Sequence, residues 1–132
     1  MIDPFLELYN KIKKELSVDK IDVKCAYQSE LKSFPTVIMR EVENITDMIN
    51  LDNSGEEYSI RYALELDIYD NSSNSQTIIA EIKQKIDDIL NIELGMNRDF
   101  VNATPNYLDK NIYRYNMRYS CIVNKENVIF RR

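Results

Sequence analysis

From Tyr58 to Asp70 apolar and polar residues alternate along the chain. Tyr58, Ile60, Tyr62, Leu64, Leu66 and Ile68 take the even positions, and Ser59, Arg61, Ala63, Glu65, Asp67 and Tyr69 the odd ones. A period of two sends successive side chains to opposite faces of a β-strand, so this stretch predicts one packed face and one face left to water or a partner. Its packed row is aromatic, β-branched and leucine-rich, as strands favour. At about 3.3 Å per residue it spans roughly 40 Å, well beyond the common strand of about 5–6 residues. It is expected to be the spine of a sheet. The same period marks Ile21, Val23, Cys25 and Tyr27, and then the run Thr36–Asn44, entered through Phe34-Pro35 where a missing N–H does no harm. Arg98–Thr104 predicts a short strand. Tyr113, Tyr115, Met117, Tyr119, Cys121 and Val123 form the packed row of a second long one, with Arg114, Asn116 and Arg118 facing the other way. Residues 128–132 suit a short returning strand or a tail.

Two segments change to helical spacing. Asp3 is a good N-cap with Pro4 at the first helical position, and Phe5, Leu8, Tyr9, Ile12 and Leu16 then share a face. Lysines 11, 13 and 14 suit the negative end of that helix. A basic amphipathic helix can rest on a membrane, but this stripe is modest and better suits a helix covering a sheet. The second helix is more strongly patterned. Ile78, Ile79, Ile82, Ile86, Ile89 and Leu90 line one side and Glu81, Lys83, Gln84, Lys85, Asp87 and Asp88 the other. Ser73 and Gln76 have the spacing of a capping box, and Gly95 is a suitable stop.

At 132 residues the chain predicts a single domain, 1–132, large enough to bury its own core. The net charge of −5 disfavours a broad grip on nucleic-acid phosphates, yet it suits a surface past which DNA slides without adhering. Histidine is absent, which removes the commonest general base, the usual triads and most zinc sites. With two glycines there is no phosphate-cradling loop, and the serines at 72, 73 and 75 have no evident base. Cys25 and Cys121 lie outside any metal spacing, and free, buried thiols are expected in preference to a disulfide between them. Neither a signal peptide nor a membrane span is evident. The region 45–57 is the least patterned and the most acidic, with Asp47, Asp52, Glu56 and Glu57 around the turn signal Asn53-Ser54-Gly55. It lacks the calcium-loop spacing, so a solvated loop is the plainer reading.

FPTVIMRE, SIRYALELDIYD, the helix from Gln76 to Leu94 and the closing YRYNMRYSCIV, in that order, resemble the tail-terminator or tail-completion proteins of long-tailed bacteriophages and phage-tail-like bacteriocins. The resemblance covers nearly the whole chain and is one of pattern, since that family has no catalytic signature. It implies an α+β fold, a mainly antiparallel sheet with long strands and two main helices packed on one face. It further implies a ring, usually hexameric, that caps the tail tube, ends its growth and gives the head or neck a docking surface. The implied partners are other copies of the chain, the tail tube protein, a neck, connector or head-completion protein, and sheath protein where the tail contracts. DNA would pass through without specific binding. The implied location is the head-proximal end of the tail in a virion assembled in the bacterial cytoplasm, with no cofactor, no metal, no membrane and no enzymatic activity.

Residue by residue, the mixed face of Arg61, Glu65, Asp67, Arg114 and Arg118 is the expected subunit or partner contact, with charges able to pair across neighbouring strands. The acidic stretch of Asp47, Asp52, Glu56 and Glu57 is expected to line the lumen of the ring. Tyr62, Tyr113, Tyr115 and Tyr119 suit a core or an interface, the core being the simpler assignment. Other neck, connector or head-closure proteins share such designs. A small ligand-binding domain, an enzyme with a site built only by the fold, and a nucleic-acid binder stacking bases on tyrosines are the remaining readings.

Overall fold

The computed structural model describes residues 1–25, 33–46, 59–104 and 111–124, and the backbone of 129–130. In chain order it comprises α1 (Phe5–Ser17), β1 (Asp22–Lys24), β2 (Thr36–Thr46), β3 (Ser59–Asp70), α2 (Ser75–Asp87), a π-helical extension (Asp88–Glu93), β4 (Asn97–Thr104), β5 (Tyr113–Asn124) and β6 (Ile129–Phe130). The strands make one sheet in the order β1-β2-β3-β5-β4, with β6 paired to the far end of β5. Among the described residues only β1 and β2 run parallel. The architecture is α+β with a mainly antiparallel sheet, as expected.

β3 is the spine. Its ladder with β5 is continuous from Ser59↔Asn124 to Asp70↔Tyr113, and its ladder with β2 has one irregularity, between Glu41 and Glu43. Ile60, Tyr62, Leu64, Leu66 and Ile68 are all 1% exposed or less. They join Val37, Met39, Met117, Tyr119, Cys121 and Val123 from the flanking strands, and the helices close over them with Leu8, Ile12, Leu16, Ile79, Ile82, Ile86, Ile89 and Leu90. Both helices therefore cover the same face, and the buried area supplies the main driving force for folding. Tyr62 and Tyr119 belong to this core. Tyr115 packs at its margin beneath Lys83, 4.3 Å from the ring centre, whereas Tyr113 is exposed.

Helix boundaries follow local chemistry. Asp3 Oδ1 accepts the Phe5 N–H at 3.3 Å, but the N-cap falls on Pro4 rather than on Asp3 as expected, Pro4 O accepting the Leu8 N–H at 3.1 Å. α1 is ended by Lys20 in the left-handed region (φ 60°), with Ile21 N–H bonded to Leu16 O and Lys20 N–H to Ser17 O. At the other helix Gly95 (φ 77°) makes the stop, its N–H bonded to Asn91 O. The expected Ser73–Gln76 box does not form. α2 instead begins at Ser75, and its start is tied to the end of β3: Asp70 Oδ2 accepts Ser72 Oγ at 2.6 Å and Ser75 Oγ at 2.9 Å. A carboxylate at the strand terminus reaches both hydroxyls, and the N-cap falls on Asn74, one residue after Ser73.

Two further expectations need correction. The odd row of β3 is not a wet face: Ser59, Ala63, Asp67 and Tyr69 are buried, Glu65 is half-buried, and Arg61 alone of the row is exposed. A central strand has bonded neighbours on both sides, whose long side chains cover it even where no described helix does. The thiols are both free, but Cys25 is exposed and only Cys121 buried. Among the described residues no helix is long and apolar enough to cross a membrane.

Candidate functional site

The face opposite the helices is ordered by strand register. Five rows cross β2, β3 and β5: Thr36–Tyr69–Arg114, Ile38–Asp67–Asn116, Arg40–Glu65–Arg118 and, past the irregularity, Glu43–Ala63–Ser120 and Ile45–Arg61–Ile122. The middle rows form a lattice of charge. Asp67 accepts from Arg40 Nη1 at 2.8 Å, Arg114 Nη2 at 3.1 Å and Asn116 Nδ2 at 2.8 Å. Glu65 pairs with Arg40 and lies 3.8 Å from Arg118 Nη1. Arg118 reaches Glu43 at 3.4 Å and Asp99, at the irregularity in β4, also at 3.4 Å. Arg114 additionally sits 5.7 Å over the Tyr69 ring.

Depth grades the lattice. The Asp67 side chain is 3% exposed and Glu65 12%, while Arg40 is 45% and Arg118 32%. The carboxylates are the buried anchors and the guanidinium edges are what another molecule would meet. A planar guanidinium held on one side by carboxylates has its remaining N–H donors aimed outward in a fixed geometry. Such a plate can bind carboxylates or carbonyls of a protein surface without reorganising. Of the expected contact residues, Glu65, Asp67, Arg114 and Arg118 are brought together. Arg61 stands apart at one end of the face, exposed and with no ion pair among the described residues. Asp47, Asp52, Glu56 and Glu57 lie outside the described residues.

Arg40 was missed, and so were Glu43 and Asp99. The alternation of Thr36, Ile38 and Arg40 already places Arg40 on one face of its strand, and pairing that strand with β3 would have brought it to Glu65 and Asp67. Glu43 and Asp99 adjoin ladder irregularities, which alternation alone does not reveal.

Elsewhere the described residues offer little chemistry. Among the described residues no group of His, Cys, Asp and Glu has metal-binding geometry. A cleft of about 550 Å³ between the end of α1 and α2 has Ile21, Pro35, Ile78 and Ile82 as its apolar lining and Asp19, Glu81, Gln84 and Lys85 as its polar one. Burial pushes the Cys121 thiol up to about 12, far from a reactive thiolate. The Tyr119 phenol is also raised, by burial and by its 2.8 Å bond to Asp87, which Arg98 pairs at 3.1 Å. Tyr62 is raised by burial and by the nearby Glu41 carboxylate, and its hydroxyl has no hydrogen-bond partner among the described residues. These phenols are structural. No protein-family model matches the chain, and no curated protein matches its sequence.

Proposed function

We propose that the protein is a non-enzymatic structural subunit that assembles as a ring on the end of a phage-type tail tube, ends tube growth and presents a docking surface to the head or neck. The ring would be hexameric, as in the family that the sequence resembles. The observation that carries this reading is the division of the sheet. One face is consumed by the helices, and the other is a preorganised plate of guanidinium edges on buried carboxylates. A plate of this kind serves protein–protein contact, because its charges are mutually neutralised and its shape is fixed before a partner arrives. Arg114 and Arg118, joined by Arg40, would meet the neighbouring subunit or the tube, with Glu65 and Asp67 holding them in place. The net charge of −5 supports passage of DNA without adhesion.

Light scattering over a wide concentration range, with and without purified tail tubes, tests the proposal. A discrete closed oligomer, or recruitment to tube ends with an arrest of tube growth, is expected. A chain that remains monomeric at every concentration and ignores the tubes refutes it.

A further inference from the structure

We infer that the lysines at the end of α1 in one copy of this chain dock on the Arg118 end of the charge lattice in the next, an inference that rests on the ring reading above. Within the lattice, neutralisation is complete around Asp67 and incomplete around Arg118. Asp67 is held by Arg40 at 2.8 Å and by Arg114 at 3.1 Å. Among the described residues Arg118 is the one cation that Glu43 and Asp99 have, and it is shared with Glu65. Its distances are 3.4 Å to Glu43, 3.4 Å to Asp99 and 3.8 Å to Glu65, all beyond the roughly 2.7–2.9 Å of a close charge-assisted bond. One guanidinium among three carboxylates leaves negative charge over, and the Glu43 and Asp99 side chains are 28% and 32% exposed. A cation from outside completes the set.

The chain carries such cations on its other side. Lys13, Lys14 and Lys20 are exposed and have no ion pair among the described residues, whereas Lys11 pairs with Glu93 and Lys85 with Asp19. Val18, exposed among them, adds an apolar contact. Within one subunit the two patches are kept apart. The helices cover the face of the sheet opposite the lattice, and Lys20 leads into β1 at one edge of the sheet, while Asp99 lies on β4 at the other. Two different, complementary patches on opposite sides of a subunit make a head-to-tail contact, the kind that closes a ring. A nucleic acid fits the lysines less well, because a chain of net charge −5 offers a phosphate backbone little attraction.

Two variants test it by light scattering. One carries Lys14→Glu and Lys20→Glu, the other Glu43→Lys and Asp99→Lys. Each is expected to weaken self-association by at least about tenfold, the scale of inverting an interface charge. Mixed in equal amounts they should assemble again, because every junction of an alternating ring then joins opposite charges. The lysine variant should melt like the wild type, since both side chains are exposed. Should the lattice variant fail to fold, Glu43→Gln with Asp99→Asn takes its place and is also expected to weaken assembly. A folded lysine variant that assembles at wild-type strength overturns the inference and leaves the ring reading intact. So does a mixture of two folded variants that fails to assemble, and so does equal or stronger assembly of Glu43→Gln with Asp99→Asn, which would mean that the lattice does not receive a cation. A wild-type chain that associates neither with itself nor on tail tubes overturns both.

Discussion

Replacing Asp67 by asparagine removes one negative charge from the centre of the lattice and changes almost no volume. The carboxylate is 3% exposed and accepts from three side chains on two strands: Arg40 on β2, and Arg114 and Asn116 on β5. Breaking a buried ion pair from one side costs about 3–5 kcal/mol where the orphaned charge is cut off from water. Here the orphans are not cut off. Arg40 is 45% exposed and keeps Glu65, Arg114 is 26% exposed, and the amide oxygen can still accept one bond. The expected loss is therefore nearer 2 kcal/mol. With an unfolding entropy of about 2.1 cal/mol/K per residue, that lowers the melting temperature by roughly 7 °C. Differential scanning calorimetry at neutral pH measures it. Repeating the scan in molar salt adds a second check: salt screens the exposed Lys11–Glu93 pair but reaches Asp67 poorly, so the difference between variant and wild type should persist. An Asp67→Asn protein melting within about 1 °C of wild type would mean that the lattice contributes nothing to stability, and the account of it as a rigid plate would be wrong.

Other expectations follow from the core. Ile86→Ala, at a fully buried position under the sheet, should cost about 2–5 kcal/mol in urea unfolding, and a smaller effect would show that α2 packs loosely. Tyr62→Phe deletes a buried hydroxyl without a described partner, so it should be neutral or stabilising by up to about 1 kcal/mol, and a clear loss of stability would reveal a bond to that oxygen. Alkaline pH should destabilise the fold. The Cys121 thiol is raised from 9.0 to about 12, so the folded state keeps its proton where the unfolded chain releases it. The corresponding stability is whole below pH 9 and is lost as pH rises from 9 towards 12, which urea midpoints at stepped pH will show; Cys121→Ala should flatten that slope. At neutral pH a maleimide should label Cys25 at once and Cys121 only after unfolding.

Much of this arrangement was legible because its periods are strong. Alternation over Tyr58–Asp70 identified β3, and isoleucines at helical spacing identified α2 together with its buried face. What alternation could not give was the number of neighbours. An amphipathic pattern looks the same for a strand with one wet face and for a central strand whose polar row is buried under its neighbours' arginines. That is why Asp67 and Tyr69 were assigned to an exposed face. The charge pairing was half legible: Glu65, Asp67, Arg114 and Arg118 are opposite in sign on two long strands, but Arg40 enters only once β2 is known to flank β3. Left-handed Lys20 carries no glycine signal, and the Asp70–Ser75 bond joins residues from two different elements, so neither is visible to a local rule.

The order of the strands in space also has a temporal side. β2 and β3 are successive in the chain and can close as a hairpin, but the other flank of β3 is filled by β5, whose Tyr113 is paired with Asp70 and whose Asn124 is paired with Ser59. During synthesis the central strand of the core therefore waits, one side unpaired, while α2 and β4 emerge from the ribosome. Contacts between segments so far apart in sequence form late and slowly, and an unpaired apolar strand is what other nascent chains stick to. A ribosome stalled before Tyr113 would hold an incomplete sheet, and the yield of folded protein in the cell would depend on how quickly that last long strand arrives.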